Sequence, residues 1–485
     1  MSILASLKPL YRLLPEVKAP EERRPIGKRL MWTGLILLIF FIMGNIRVIG
    51  LNAQSAGQLE QLQIILASQI GSLISAGIGP IVLASIILQL LIGSGLIKLD
   101  LSKPEDKAEF TGAQKLLTIG LSFFEAAVYS LTGFLAPEPG MFLWVVLQVA
   151  LGSIILMFLD EVVSKYGVGS GISLFIAGGV SYELLWRTLN PFDVAGNLNL
   201  AEASGHAFLF INTLGSGIYP AVNNYLLPLV FTIIVFLIVV FAEGIHVNIP
   251  ITTGYKGTGG RYPVKLLYVS NIPVILAVAL FANIKMWSLL AIKIPVLGML
   301  LERVASIMTA PYNLRWTLLA QLPTTNVMQI ASEAGNSFVQ FFNPFNPASP
   351  FTNLASETVG AGIAHAFFYL IVLVATCVIF GKFWVEMANQ GPSAIAAQLE
   401  RAGMSIPGFR RDPRVVTKVL ERYIPTVTIL GAAFVAILAG FADLTGTLAS
   451  GMGILLAVGI IYRLYEELAK LQIMEMHPLL GKILG

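Results

Sequence analysis

Glu125 is a carboxylate in the middle of a largely apolar run from Ala113 to Leu135. An ionisable group at membrane depth marks a proton path, a gate or a partner contact unless a neighbouring helix hydrogen-bonds it. Both readings stand from the sequence alone. His365 and Cys377 share another apolar run, but neither has a partner at metal-ligand or nucleophile spacing. One cysteine excludes an internal disulfide and a thiolate-rich metal site. The chain carries no phosphate-binding glycine loop, no HExxH and no nucleophile elbow. Two other pairs have a spacing with physical meaning. Ile78 and Val82 are four apart after a glycine-rich break, and Ile172 and Ile176 repeat that spacing after another. Branched apolar side chains on one helix face form either ordinary core or a narrow constriction that closes by dewetting.

The elements that must carry these residues are membrane helices. Only 12% of the 485 residues are charged and 56% are apolar, against about 25% charged in a typical soluble chain. A soluble enzyme is excluded by that balance. Ten segments approach the roughly 20 apolar residues that a bilayer requires. They are Leu30 to Ile49, Gly79 to Leu91, Ala113 to Leu135, Met141 to Leu159, Val168 to Leu185, Tyr225 to Ala242, Asn271 to Leu290, Thr358 to Phe380, Tyr423 to Phe441 and Leu448 to Leu468. Before the second lies an uncharged stretch too short for two crossings. It reads as a non-spanning helix, Leu59 to Leu73, followed by a break at Gly77 and Gly79-Pro80. Broken backbone at membrane depth is tolerated only against protein or a watery cavity, so this break points to function. Of 31 Lys and Arg, only Arg47, Arg187, Lys285, Lys293, Arg303 and Arg315 fall on the side opposite the termini. The bias predicts cytoplasmic termini.

Two cytoplasmic loops are long, 244–270 and 385–422. The first reads as a hairpin, Ile249 to Thr253 and Tyr262 to Leu267, around a glycine-rich tip. The second holds an amphipathic stretch, Ser393 to Arg401, and then Arg410, Arg411 and Arg414 beside Pro407 and Gly408. Such arginines suit a docking surface, and the topology bias explains them equally well. No RNA-binding motif is present. Outside, 190–224 and 291–357 are charge-poor and read as packing across the bundle.

Several long runs resemble the SecY family, the channel subunits of the Sec protein translocon. They are Gly77-Ile78-Gly79-Pro80-Ile81-Val82 with Ala84 to Leu91, Tyr166 to Leu174, Asn271 to Leu276, and Ile406 to Arg411. They occur in family order over nearly the whole chain, from about Leu10 to Leu471, and look closest to archaeal members. The resemblance implies an all-α fold of ten spans in two pseudo-symmetric, inverted five-helix halves, 1–205 and 206–485, around an hourglass pore. By similarity the waist is a ring of Ile78, Val82, Ile172, Ile176, Ile275 and Leu456, capped from outside by a plug over 53–72. Spans two and three against seven and eight would form a sideways gate, with Glu125 and Asn283 at its polar positions. Leu83 stands where relatives often carry a hydroxyl, so that polar cluster is reduced here.

The same resemblance implies a non-enzymatic channel, without cofactor or metal, that moves unfolded secretory polypeptides and releases hydrophobic segments into lipid. The expected partners are small membrane subunits like SecE and Sec-beta, a translating ribosome or other cytoplasmic motor, and signal-bearing polypeptides. Lys256, Arg261, Arg410 and Arg411 would meet the ribosome, although the first loop lacks the double-Arg run of bacterial members. The expected location is the plasma membrane. A secondary transporter would share broken helices but needs a polar midplane site, and a membrane scaffold would have a sealed core.

Overall fold

The computed structural model describes residues 14–18, 20, 24–51, 71–93, 96–97, 99, 103–132, 134–193, 197–200, 202–253, 259–267, 272–291, 295–311, 314, 326–342, 358–387, 390–401, 404–405 and 413–476. In chain order the elements are α1 (Ile26–Asn45), α2 (Gly79–Gly93), α3 (Pro104–Leu131), α4 (Phe142–Tyr166), α5 (Gly171–Leu189) and α6 (His206–Thr213). Then come α7 (Ile218–Gly244), β1 (His246–Thr253), β2 (Gly259–Lys265), α8 (Ile272–Ala291), α9 (Pro295–Ile307) and α10 (Val327–Phe342). The chain continues through α11 (Val359–Met387), α12 (Pro392–Arg401), β3 (Met404–Ser405), α13 (Pro413–Thr445) and α14 (Gly451–Met476).

The protein is helical apart from one small sheet. Among the described residues, five helices are long and apolar enough to cross a bilayer: α1, α4, α7, α11 and α13; α2 and α8 contain shorter apolar helices. This is a multi-pass membrane protein. A helix underlies each of the ten expected spans, with shifted ends. α3 begins at Pro104, not Ala113, because proline at the first helical position and Glu105 and Asp106 in the first turn favour a start there. α13 begins at Pro413 and continues through Pro425, whose missing N–H leaves one carbonyl without its helical donor. α1 stops at Asn45, four residues early. Ile46 to Val48 instead pair as extended backbone with Gly71 to Leu73, through Val48 N–H to Gly71 O at 2.9 Å and Leu73 N–H to Ile46 O at 2.9 Å. Residues 71–73 are therefore not helical as expected, and Gly71 has a φ of +83°, outside the helical range. Most of the expected plug, 52–70, lies outside the described residues.

The helices touch in a pattern that occurs twice. α2 packs on α3, α3 on α4 and α4 on α5; correspondingly α8 packs on α11, α11 on α13 and α13 on α14. α1 lies against α4 and α5 as α7 lies against α13 and α14. The equivalent helices α1 and α7 are also the two least buried apolar helices, with 17% and 22% of their apolar windows covered, against 56% for α13. Their outward residues, such as Leu38 and Phe241, present branched and aromatic carbon where lipid replaces water. The two sets meet where α2 touches α8 and α11, α3 touches α8, and α5 touches α14.

On the loop side, β1 and β2 form the expected hairpin with longer strands, from His246↔Lys265 to Thr252↔Gly259. A third strand was not anticipated: Thr252 pairs with Ser405 and Thr253 with Met404, giving the order β2-β1-β3. The two long loops thus share one sheet. Beneath it, Val264 of β2 joins Val385 of α11, Ile395 and Leu399 of α12, and Leu420 and Ile424 of α13 in a small separate core. The amphipathic stretch of the second loop supplies its apolar face to that core.

Candidate functional site

The six apolar residues are positioned by three routes. The first is the broken stretch before α2. Residues 72–79 turn back repeatedly through Ser75 N–H to Ser72 O, Gly77 N–H to Ile74 O and Gly79 N–H to Ala76 O. Gly77 takes a φ of +55°, which a side chain would disfavour. The turn is seated on α4, where a Cβ on Gly152 would lie only 1.8 Å from the Leu73 carbonyl oxygen. The Ile78 carbonyl then accepts the first helical bonds, from Ile81 and Val82 at 3.1 and 3.0 Å. Ile78 and Val82 are therefore fixed at the mouth of α2.

The second route is the glycine-rich turn between α4 and α5, held by Val168 N–H to Thr33 Oγ1 of α1 at 3.0 Å. It places Ile172 and Ile176 in the first two turns of α5. The third comes from the other helix set, with Ile275 in the first turn of α8 and Leu456 in the second turn of α14. Ile78, Ile176 and Leu456 are each 1% exposed and Val82 is 7% exposed; Ile172 and Ile275 are half-buried against the same cluster. Ile78, Val82, Ile176 and Leu456 thus belong to one apolar core that draws on both helix sets, and Ile172 and Ile275 pack against it. The six side chains themselves are aliphatic and carry no hydrogen-bonding group.

Buried polar groups also lie on α3 and α8. Glu125 of α3 is 1% exposed, and its Oε1 has no hydrogen-bond partner. Asn283 of α8 is buried and donates from Nδ2 to the Ala279 carbonyl at 2.7 Å. Leu83 is buried on α2. One turn beyond Asn283, Trp287 packs against the cluster containing Ala126 and Tyr129 of α3, and its indole N–H also lacks a partner. The sequence reading missed Trp287, although its i, i+4 spacing from Asn283 was visible. A buried carboxylate oxygen and a buried indole N–H without hydrogen-bond partners are each costly.

Of the expected docking residues, Arg261 lies on β2 opposite Pro250, while Lys256, Arg410 and Arg411 lie outside the described residues. The sequence reading also missed an anchor of the hairpin. Lys265 of β2 forms an ion pair with Glu466 of α14 and sits over the Tyr462 ring at 5.0 Å. A second ion cluster ties α3 and α4, through Lys115 to Glu161 at 2.8 Å and Lys165 to Glu161 at 3.0 Å. Lys165 also reaches Glu16 and the Val17 carbonyl of the N-terminal segment. Among the described residues no cluster of His, Cys, Asp or Glu has the makings of a metal site.

The comparisons with known proteins agree with this architecture. The SecY family model matches residues 72–465, and a model described as the plug domain of Sec61p matches residues 38–71. The protein translocase subunit SecY of Methanothermobacter thermautotrophicus is 42% identical over 99% of this chain and 98% of its own length. A solved structure described as "The structure of a protein conducting channel" is 40% identical and covers 98% of this chain and 99% of its own, with a TM-score of 0.79. Another, described as Sec61 in the canine ribosome-channel complex from the endoplasmic reticulum, is 38% identical over 98% of this chain and 99% of its own, with a TM-score of 0.77. With a family model over most of its length and relatives matched end to end, the chain belongs to the SecY family.

Proposed function

We propose that this chain forms the passage through which unfolded polypeptides cross the membrane, and that Ile78, Val82, Ile172, Ile176, Ile275 and Leu456 are the ring that seals it. The observation that carries this reading is that four of those residues belong to one apolar core shared by the two helix sets, with Ile172 and Ile275 packed against it. A passage for chains of any sequence must hold back ions when empty and must not select for particular side chains. Apolar walls serve both needs, because a narrow apolar neck dewets and carries no fixed hydrogen-bond partner. No catalytic group is needed, and the driving force comes from outside the chain.

In this reading ten helices cross the membrane in two inverted halves, 1–205 and 206–485. The repeated pattern of helix neighbours supports the division. The outer plug spans 53–72, a range overlapped by the plug-domain match. The face between α2 and α3 on one side and α8 and α11 on the other opens sideways. A hydrophobic segment leaving there gains roughly 0.3–0.6 kcal/mol for each Leu, Ile or Phe at the bilayer centre. Both termini and both long loops face the cytoplasm, in the plasma membrane. Lys256, Arg261, Arg410 and Arg411 meet a translating ribosome, and small subunits like SecE and Sec-beta complete the complex. The ribosome-bound relative in the canine complex supports that docking.

The test is reconstitution. Proteoliposomes holding the complex should protect a signal-bearing polypeptide from added protease, whereas liposomes lacking it should not. Equal digestion in both would overturn the reading.

A further inference from the structure

The helices that carry half of the ring, α5 and α14, begin in the same unusual way. Each starts at a glycine pressed against the preceding helix. A Cβ on Gly171 would lie 2.5 Å from the Cα of Asp160 on α4, and a Cβ on Gly451 would lie 2.3 Å from the Ala439 carbonyl oxygen of α13. Each first turn also receives a carboxylate from that preceding helix. Asp160 Oδ1 accepts the Ile172 N–H at 2.9 Å and lies 3.4 Å from the Ser170 hydroxyl. Asp443 Oδ1 accepts the Gly451 N–H at 2.7 Å, while its Oδ2 accepts the Tyr369 hydroxyl at 2.8 Å. A helix start leaves its first N–H groups without intrahelical acceptors and carries positive dipole charge. An ordinary cap comes from the residue just before the helix. Ser170 makes no such side-chain bond, so the α5 amide is met by another helix.

We propose that Asp160 and Asp443 are a matched pair of positioning residues that set the height of α5 and α14, and so hold Ile172, Ile176 and Leu456 in the sealing ring. The proposal rests on the ring assignment above. Asp160 has the more direct hold, because the amide it binds belongs to Ile172 itself. It is also less backed up. The first turn of α14 has a second cap, since Ser450 Oγ accepts the Gly453 N–H at 3.0 Å. The shared design means that each helix set fixes its last helix from its own fourth helix. The two sets are then joined by the direct packing of α5 on α14. If either carboxylate is lost, its helix start can slide along the neighbouring helix and carry ring side chains with it.

The experiment uses the full-length chain, reconstituted with its co-purifying membrane subunits, and reads idle conductance in planar bilayers. Asp160→Ala should raise that conductance about fivefold, the population change matching loss of one cap. Asp160→Asn retains an acceptor oxygen and should seal like the parent. Asp443→Ala should leak less than Asp160→Ala because of Ser450. Thermal melting of each variant reports whether the fold persists, and reactivity of Ile172→Cys toward a membrane-impermeant thiol reagent should rise in the Asp160→Ala background. Ile78→Asn is the control for the ring. If Ile78→Asn leaks while a folded Asp160→Ala seals like the parent, the positioning role is overturned and the ring stands. If neither leaks, the ring assignment falls first. Should Asp160→Ala fail to fold, Asp160→Glu displaces the carboxylate by one methylene and must leak; sealing by that variant overturns the proposal equally.

Discussion

Lys265 Nζ at the end of β2 lies 2.5 Å from Glu466 Oε1 on α14, across 201 residues of chain. The strand belongs to the hairpin proposed to meet the ribosome, and the helix carries Leu456 of the proposed ring. The side chains are 38% and 34% exposed, so the pair contributes little to stability, on the order of 0.2–1 kcal/mol. It joins the hairpin directly to α14.

Lys265→Met should therefore leave melting nearly unchanged and ribosome affinity within about twofold, as expected for an exposed pair. It should reduce the conductance change expected when the ribosome docks. Bilayer recordings with and without ribosomes check this, and an undiminished response would show that docking acts through another contact.

Polar replacement in the ring has a different signature. Ile78→Asn, at a site 1% exposed, gives the proposed apolar neck a hydrogen-bonding group. Ile275→Asn does so from the opposite helix set. Both should raise closed-state single-channel conductance and relax discrimination among signal sequences. Unchanged closed-state conductance in both would remove the ring from the account.

Docking can be weakened without touching an arginine. Leu399 of α12 is 7% exposed within the small core that joins the two long loops. Leu399→Ala should destabilise that core by roughly 2–4 kcal/mol, lower ribosome affinity in co-sedimentation, and leave idle conductance unaltered. Arg410→Glu with Arg411→Glu should weaken binding with intact core stability, and added salt should narrow the difference from the parent.

Deleting Leu59 to Ile70 should preserve the fold. The backbone bonds between Ile46 to Val48 and Gly71 to Leu73 close the base of that segment. Gln148 of α4 additionally exchanges two bonds with the Ile49 backbone, at 3.0 and 3.1 Å. Ion flux through idle proteoliposomes should increase relative to the parent at equal reconstitution. A deletion variant that seals as tightly would identify the segment as packing.

The break before α2 was legible because it depends on local residues, glycines beside Pro80. Spacing alone left Ile78 with Val82 and Ile172 with Ile176 as core or constriction, and the six-residue ring came from the family resemblance. The contacts that hold those elements were not legible. Gln148 and Ile49 are 99 residues apart, and Lys265 and Glu466 are 201 apart. Nothing in a local pattern specifies such partners. The sequence reading singled out neither Asp160 nor Asp443, and their caps emerge only when α4 meets α5 and α13 meets α14. β3 is two residues long, below what alternation can reveal. Helix ends shifted where proline or extended pairing outweighed hydropathy, as at Pro104 and Ile46.

That short strand makes a ruler of the two long loops. With β1 hydrogen-bonded to both β2 and β3, the bases of two loops well over a hundred residues apart in sequence keep a set separation. A partner that matches the spacing engages the second loop as an intramolecular event once it holds the first, at an effective concentration of about millimolar. A polyanion of the wrong spacing gains only one grip. Two weak, charge-based contacts thus become selective through geometry, with no base-specific or sequence-specific recognition at either.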